Sequence, residues 1–488
     1  MPDFLLPDSA PIIVWFREDL RLTDNPALAA AAASGNPVLP LYVWEDDPAD
    51  PFPPGGAARW WLHHSLRRLS DALDHLGAPL LLRRGDPLRV IADLAAETGA
   101  GAVLWNRRYA TAGRVRDTRI KETLRSRGLR AESFNAALLF EPWTVRTKAG
   151  QPFRVFTPFW RACLAMTEPP APTPAPARLT AFPRPLPGSS LADWHLLPTG
   201  PDWAGGLRET WQPGEDGARE RLAEFLVTTA AGYKANRDRP GMEGTSRLSP
   251  HLRWGEIGPR QAWHAARMTA HAHPEAAAGI EAFLRELGWR EFCHHLLHHE
   301  PGLAHTPMDA RFAAFPWRDD EEGLGAWQRG RTGYPIIDAG MRQLWHTGWM
   351  HNRVRMVTAS FLVKDLLIPW QSGARWFWDT LVDADPADNP ANWQWVAGCG
   401  ADAAPFFRVF NPVLQGETYD PRGAYVRRWV PELAALPDAW VHKPWAAPVK
   451  VLAQAGVRLG ETYPHPILDH AAARDRALDA FRALPGRD

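Results

Sequence analysis

The residues best suited to chemistry cluster between Trp349 and Trp395. The run WMHNRVRMVTASFLVKDLLIPW is followed, after a short connection, by DTLVDADPADNPANWQWVAG. Together they hold His351, Asn352, Arg353, Arg355, the carboxylates Asp383 and Asp385, and the amides Asn389 and Asn392. Six tryptophans are interleaved with them: Trp349, Trp370, Trp376, Trp378, Trp393 and Trp395. Buried carboxylates and guanidinium groups are costly unless each is paired, so an ordinary core has no use for this mixture. It suits a large, flat aromatic ligand with polar edges, buried among indoles. Arg355 can neutralise Asp383, whereas a random Asp-x-Asp pair would be a solvated surface loop.

Two further segments offer chemistry. GTSRLSP (Gly244–Pro250) places hydroxyls and backbone N–H groups just ahead of a helical pattern. Such a turn can cradle a pyrophosphate, although Thr and Ser there are more often simple caps. Glu286 and Trp289 are three residues apart, so a helix puts both on one face. Without other information, Glu286 pairs most simply with Arg290 one turn on.

Residues 11 to about 140 alternate short apolar runs with helical patterns. Ile12–Phe16, Val38–Trp44, Pro79–Leu82 and Ala102–Trp105 read as buried strands, with helices over Ala58–Leu76, Leu88–Glu97 and Arg114–Arg127. This order predicts a doubly wound parallel sheet of Rossmann-like type. The stretch EPPAPTPAPARLTAFPRPLP (Glu168–Pro187) is too proline-rich for helix or central strand and reads as an extended linker. From about Gly217 the patterns are helical. The expected division is an α/β domain over 1–145, a linker over 146–216, and an all-α domain over 217–488.

Composition limits the alternatives. The chain has 488 residues and a formal net charge of zero, which argues against a histone-like or tail-driven nucleic-acid binder. Its three cysteines, Cys163, Cys293 and Cys399, cannot by themselves build a four-cysteine cluster, and a disulfide framework is not expected. No metal site is expected. No apolar run reaches the roughly 18 residues of a membrane span, and MPDFLLPDSAP is not a secretory signal. A cytoplasmic location is therefore expected.

Five further motifs are colinear with the core segment: WFREDLRLTDNPAL, GTSRLSPHLRWGEI, FLRELGWREFCHHLL, GYPIIDAGMRQLWHTGWMHNR and DAAPFFRVFNPVLQG. With them the chain, from about residue 11 to about residue 480, resembles the photolyase and cryptochrome family. The resemblance implies an N-terminal antenna domain, a C-terminal helical FAD-binding domain, and action of a monomer on UV-damaged DNA. FAD would be held by Tyr233, Thr245, Ser246, Arg247, Leu248, Ser249, Arg290, Trp349, Asn352, Arg355, Asp383, Asp385 and Asn389. Asn389 matches the position facing flavin N5, where its amide oxygen accepts from a protonated nitrogen. Trp393, Trp370 and Trp317 match the family's electron wire, and Trp376 and Trp378 offer a second branch.

By the same resemblance, Glu286, Trp289, Asn352, Arg353, Met356 and Trp395 would line the pocket for a flipped-out lesion, with Gln415 and Arg408 as DNA or pocket-rim contacts. Glu286 is expected in apolar surroundings, as a neutral donor to a thymine carbonyl. Family members that repair (6-4) photoproducts carry proton-donating histidines at the positions of Asn352 and Met356. An amide and a thioether cannot donate in that way, so these two residues imply cyclobutane pyrimidine dimers. The reaction implied is electron transfer from light-excited, reduced FAD to the dimer, which splits and returns the electron. A cryptochrome-type blue-light receptor without repair activity is the alternative, and a light-independent electron-shuttling flavoprotein the third reading. An antenna chromophore, methenyltetrahydrofolate or a deazaflavin, would lie near Arg17, Trp44 and Asn106, followed by Arg107 and Arg108. Ala112-Gly113 replaces the Asn-Glu pair of the enterobacterial folate site, which argues against that mode of binding.

Overall fold

The computed structural model describes residues 9–45, 53–402 and 407–486. The first eight residues and residues 403–406 of the DAAPFFRVFNPVLQG motif lie outside them. Five parallel strands form the N-terminal sheet: β1 (Ile12–Phe16), β2 (Pro37–Trp44), β3 (Leu81–Arg84), β4 (Ala102–Asn106) and β5 (Arg130–Phe134). Their order is β3-β2-β1-β4-β5, and each neighbouring pair is parallel. Trp15 of β1 lies in register with Leu41 of β2 and Trp105 of β4. All five residues of β1 are buried, as expected for a central strand covered on both faces. The order reverses between β1 and β4, which opens a crevice beyond their carboxyl ends.

Helices α1 (Pro26–Ala33), α2 (Gly56–His75), α3 (Pro87–Thr98) and α4 (Thr111–Ser126) cover the sheet. Asn25 and Asp86 cap α1 and α3 through Leu28 N–H and Arg89 N–H, at 3.1 and 2.8 Å, with proline at the first helical position of each. The four strands and three helices read from the sequence are all present, shifted by up to three residues. Strand β5 and helix α1 escaped that reading. RAESF is a partly exposed edge strand, and PALAAAAA has no polar face to create a period.

The connecting region is not wholly extended. Helix α5 (Phe156–Leu164) lies inside it and buries Phe156, Phe159, Trp160 and Cys163 against the C-terminal domain. The proline-rich stretch carries no helix, and Thr180–Ala181 add a short parallel pairing to the start of β2.

The C-terminal part is built on α6 (Pro259–Ala272), α7 (Ala277–His299), α8 (Pro335–Thr347), α9 (Asn352–Ser360), α10 (Trp370–Thr380), α11 (Asp388–Ala397) and α12 (His470–Arg482). Two backbone details position the site. Gly348 ends α8 in the left-handed conformation, at φ +66°, and its carbonyl accepts Val382 N–H at 2.8 Å, which carries Asp383 to Trp349. Gly255, at φ +63°, packs against the Glu18 and Asp19 backbone, so a Cβ there would collide with the α/β domain. Among the described residues no helix is long and apolar enough to cross a membrane.

Candidate active site

Asp383 is the centre of a tight polar network. Its Oδ2 accepts Arg355 Nη2 at 2.7 Å and the Ser249 hydroxyl at 2.6 Å. Trp349 Nε1 donates to the same hydroxyl at 3.2 Å. Arg355 is fixed from its other side by donating Nε to the Met350 carbonyl at 2.7 Å. Only 3% of the Asp383 side chain is exposed, yet Oδ1 has no partner. A buried carboxylate oxygen without a donor is costly, so it marks where a ligand N–H fits. The pairing of Arg355 with Asp383 was legible in the sequence; the Ser249 hydroxyl was not.

The segment Gly244–Pro250 forms a tight turn. Gly244 approaches the Asn236 carbonyl too closely for any side chain, and Arg247 adopts a left-handed φ of +52°. The turn leads into the helical segment Ser249–Arg253, with Pro250 in its first turn. The guanidinium of Arg247 stands 5.2 Å from the Trp349 ring centroid and that of Arg355 5.9 Å. Tyr233 is buried edge-on against Phe225 and Phe283. Asn389 donates Nδ2 to the Ala374 carbonyl at 3.1 Å, which leaves its oxygen as the free acceptor. An orphaned carboxylate oxygen, a tight hydroxyl-bearing turn and an oriented amide fit FAD.

Trp393 is 3% exposed, with its ring edge-on to Phe377 at 5.0 Å and 69°. Gly373 on α10 lies against that ring, and a Cβ would overlap it. Trp370 is one turn earlier on α10, so it shares that face. Trp317 is tethered nearby, because Arg318 N–H donates to the Leu367 carbonyl at 2.8 Å. Trp370 and Trp317 line one surface groove of about 810 Å³. Trp393 and Trp370 are buried, and Trp317 is half-buried. Of the second branch, Trp376 stacks on Trp345 at 6.0 Å and 9°, and Trp345 is 57% exposed.

The surroundings of Glu286 differ from expectation. Glu286 does not sit in apolar surroundings, nor does it pair with Arg290. It forms an ion pair with Arg237, both side chains being part-buried. Trp289 stacks on Phe156 at 3.8 Å and 7°, a partner contributed by α5. Asn352 and Met356 lie one turn apart on α9, with Nδ2 4.0 Å from Sδ. Arg353 pairs with Asp238 at 3.0 Å and stands 4.3 Å from the Tyr419 ring centroid. Trp395 donates Nε1 to the Asp402 carbonyl at 3.0 Å, and Gln415 keeps a buried, unpartnered Oε1. His351 caps α9 by accepting Arg353 N–H at 3.2 Å, and burial pushes its pKa down to about 4.

Arg290 donates to the Ala137 carbonyl at 2.7 Å and lines a cleft between the domains. Asp385 lines the same cleft, and its Oδ1 accepts the N–H groups of Ala387 and Asp388 at 2.7 and 3.0 Å. Burial opposes ionisation of Asp385, but His294 and the guanidinium groups of Arg253 and Arg290 outweigh it and hold the carboxyl below the usual range. Arg17 is buried in a pair with Asp117 at 2.8 Å, and Trp44 stacks on Trp194. Asn106 lines the cleft; its Nδ2 donates to Asp19 Oδ2 and Asn25 Oδ1, while its Oδ1 has no partner. The cleft is lined by Arg107, Arg108, Arg116, Arg253 and Arg290, together with Glu18, Asp19 and Asp385.

Sequence profiles agree with this geometry. The profile of the FAD binding domain of DNA photolyase matches residues 283–483, and that of DNA photolyase matches residues 12–177. A deoxyribodipyrimidine photo-lyase of Agrobacterium fabrum is 54% identical over 478 residues, 98% of each chain. Cryptochrome-1 of Arabidopsis thaliana is 41% identical over 479 residues, 95% of this chain and 69% of that one. The crystal structure of a bacterial class III photolyase from Agrobacterium tumefaciens superposes with a TM-score of 0.95 at 53% identity, covering 99% of each chain. Fold and site together define a two-domain FAD-binding flavoprotein. The chain belongs to the photolyase and cryptochrome family.

Proposed function

We infer that this chain is a light-driven DNA-repair lyase acting on cyclobutane pyrimidine dimers in UV-damaged DNA. The observation that carries the choice of lesion is the Asn352–Met356 pair, 4.0 Å apart on one face of α9. Neither side chain supplies the proton that (6-4) chemistry requires. The chemistry that FAD would supply when bound is light-driven transfer of an electron to the dimer, which splits and returns it. Asp383, with Arg355 and Ser249, holds the polar edge of the flavin; Asn389 presents an acceptor to it; the Thr245–Ser249 turn takes the phosphates. Trp393, Trp370 and Trp317 deliver electrons that return the cofactor to its reduced form.

Trp289, backed by Phe156, offers a flat face to the flipped bases. Arg353, Trp395 and Gln415 complete the pocket. The arginine-lined interdomain cleft supports a second, light-harvesting chromophore with an anionic part, a folate or a deazaflavin. The test is an illuminated assay on reduced holoprotein with two oligonucleotides, one carrying a thymine cyclobutane dimer and one a (6-4) photoproduct. Recovery of thymine absorbance in light, for the first alone, is expected. Flavin binding without recovery on either would assign the chain to the receptor side of the family.

A further inference from the structure

His294 on α7 is 6% exposed, and neither of its ring nitrogens has a hydrogen-bond partner. Its Nε2 points at Asp385 Oδ2 from 3.6 Å, beyond hydrogen-bonding distance. Asp388, the first residue of α11, brings a second carboxylate. One ligand atom from each of His294, Asp385 and Asp388 lies within 4.8 Å of the other two. Three ligands around a first-row ion, each at about 2.0–2.2 Å, stand roughly 3–4 Å apart, so a small side-chain adjustment would close the shell.

We propose that His294, Asp385 and Asp388 bind a divalent first-row transition ion, of Mn²⁺ or Zn²⁺ type, at the inner wall of the interdomain cleft. One imidazole and two carboxylates are the donor set such ions favour. The set provides three ligands, and the cleft that His294 and Asp385 line supplies room for water at the open positions. Two nearby guanidinium groups oppose a cation, but each has an acidic neighbour: Arg253 pairs with Glu18 at 2.8 Å, and Arg290 stands 3.8 Å from Glu291. An imidazole buried with neither nitrogen hydrogen-bonded is costly; an ion would engage one of them. The ion would also join the helix carrying Glu286 and Trp289 to the helix carrying Asn389 and Trp393.

The proposal is independent of the repair reading and is tested on dark, FAD-loaded protein without DNA. Equilibrium dialysis against Mn²⁺ alone, and separately Zn²⁺ alone, counts bound ions, and electron paramagnetic resonance follows loss of the free Mn²⁺ signal. The parent should take one more ion per chain than His294→Ala, and Asp388→Asn should weaken that site at least tenfold. FAD content should remain that of the parent in both variants. Saturating ion should raise the parent's unfolding midpoint and leave that of His294→Ala unchanged. Equal uptake by parent and variants, or no uptake, would overturn the proposal and leave His294 and Asp385 as an ordinary ion pair. Should His294→Ala lose FAD, His294→Gln, which keeps the bulk of the side chain, decides by the same comparison.

Discussion

Arg237 and Glu286 form an ion pair that joins a segment just after Tyr233 to the middle of α7. With side chains 21% and 31% exposed, neither group is deeply buried. The pair holds Glu286 in place beside Trp289 and must open for its carboxyl to reach a base edge. Glu286→Ala should weaken binding of a dimer-containing oligonucleotide by about 1–3 kcal/mol, the value of a hydrogen bond to a charged or buried partner. Binding of undamaged DNA should change little, because phosphates carry that term. Titrations of both oligonucleotides at fixed salt measure the difference, and an equal loss on both would remove Glu286 from lesion recognition.

Asp383 should be the residue on which flavin retention depends most. Asp383→Ala leaves Arg355 and the Ser249 hydroxyl without their shared acceptor. Removing one partner of a buried pair costs about 3–5 kcal/mol, enough to lose the cofactor during purification. The ratio of flavin to protein absorbance reads the effect, and a normally loaded variant would contradict the assignment.

Photoreduction and repair should separate at Trp393. Trp393→Phe is expected to slow light-driven reduction of oxidised FAD by an order of magnitude or more, while chemically reduced variant still repairs. Gly373→Ala tests the same wall differently. Its Cβ would overlap the Trp393 ring, so it should cost about 1–3 kcal/mol by overpacking and also slow photoreduction. Normal rates in both variants would exclude Trp393 as the first electron donor.

Acid should destabilise the fold through His295. Its Nε2 accepts Phe153 N–H at 3.0 Å, and the residue is 1% exposed. Burial, then the neighbouring His299, push its pKa down to about 3. The folded protein therefore holds the neutral ring, while the unfolded chain protonates below about pH 6.5. The stabilisation is present above that value and is lost as pH falls toward 3, about 2 kcal/mol of it between pH 7 and 5. His351, pushed down to about 4, adds a loss of the same sign. Unfolding midpoints at the two pH values should differ less in His295→Asn than in the parent; an unchanged difference would count against the mechanism.

The sheet was legible because buried parallel strands read as uninterrupted apolar runs, as IIVWF does. Strand β5 was not, because RAESF lies at an edge and mixes charge with aromatic surface. Arg355 could be matched to Asp383 because both fall in recognisable motifs. Arg237 and Phe156 were missed as partners of Glu286 and Trp289, although both lie in the chain near residues that were singled out. Nothing in a linear pattern says which of 55 basic side chains reaches a given carboxylate.

The sequence by itself determined the class of cofactor, the two-domain plan and the residue types at the chemistry. Those rest on local composition, on periodicity, and on motifs whose order survives in one dimension. Only the tertiary structure decided which groups are paired and which are left with an unused atom. Asp385 and Asp383 are two residues apart, yet one lies just ahead of α11 and lines the interdomain cleft while the other closes on Arg355. Hydrogen bonds and ion pairs form over about 3–4 Å, and side chains two residues apart on a turning backbone can point to opposite sides of a domain. That separation is set by how α7, α10 and α11 pack against one another.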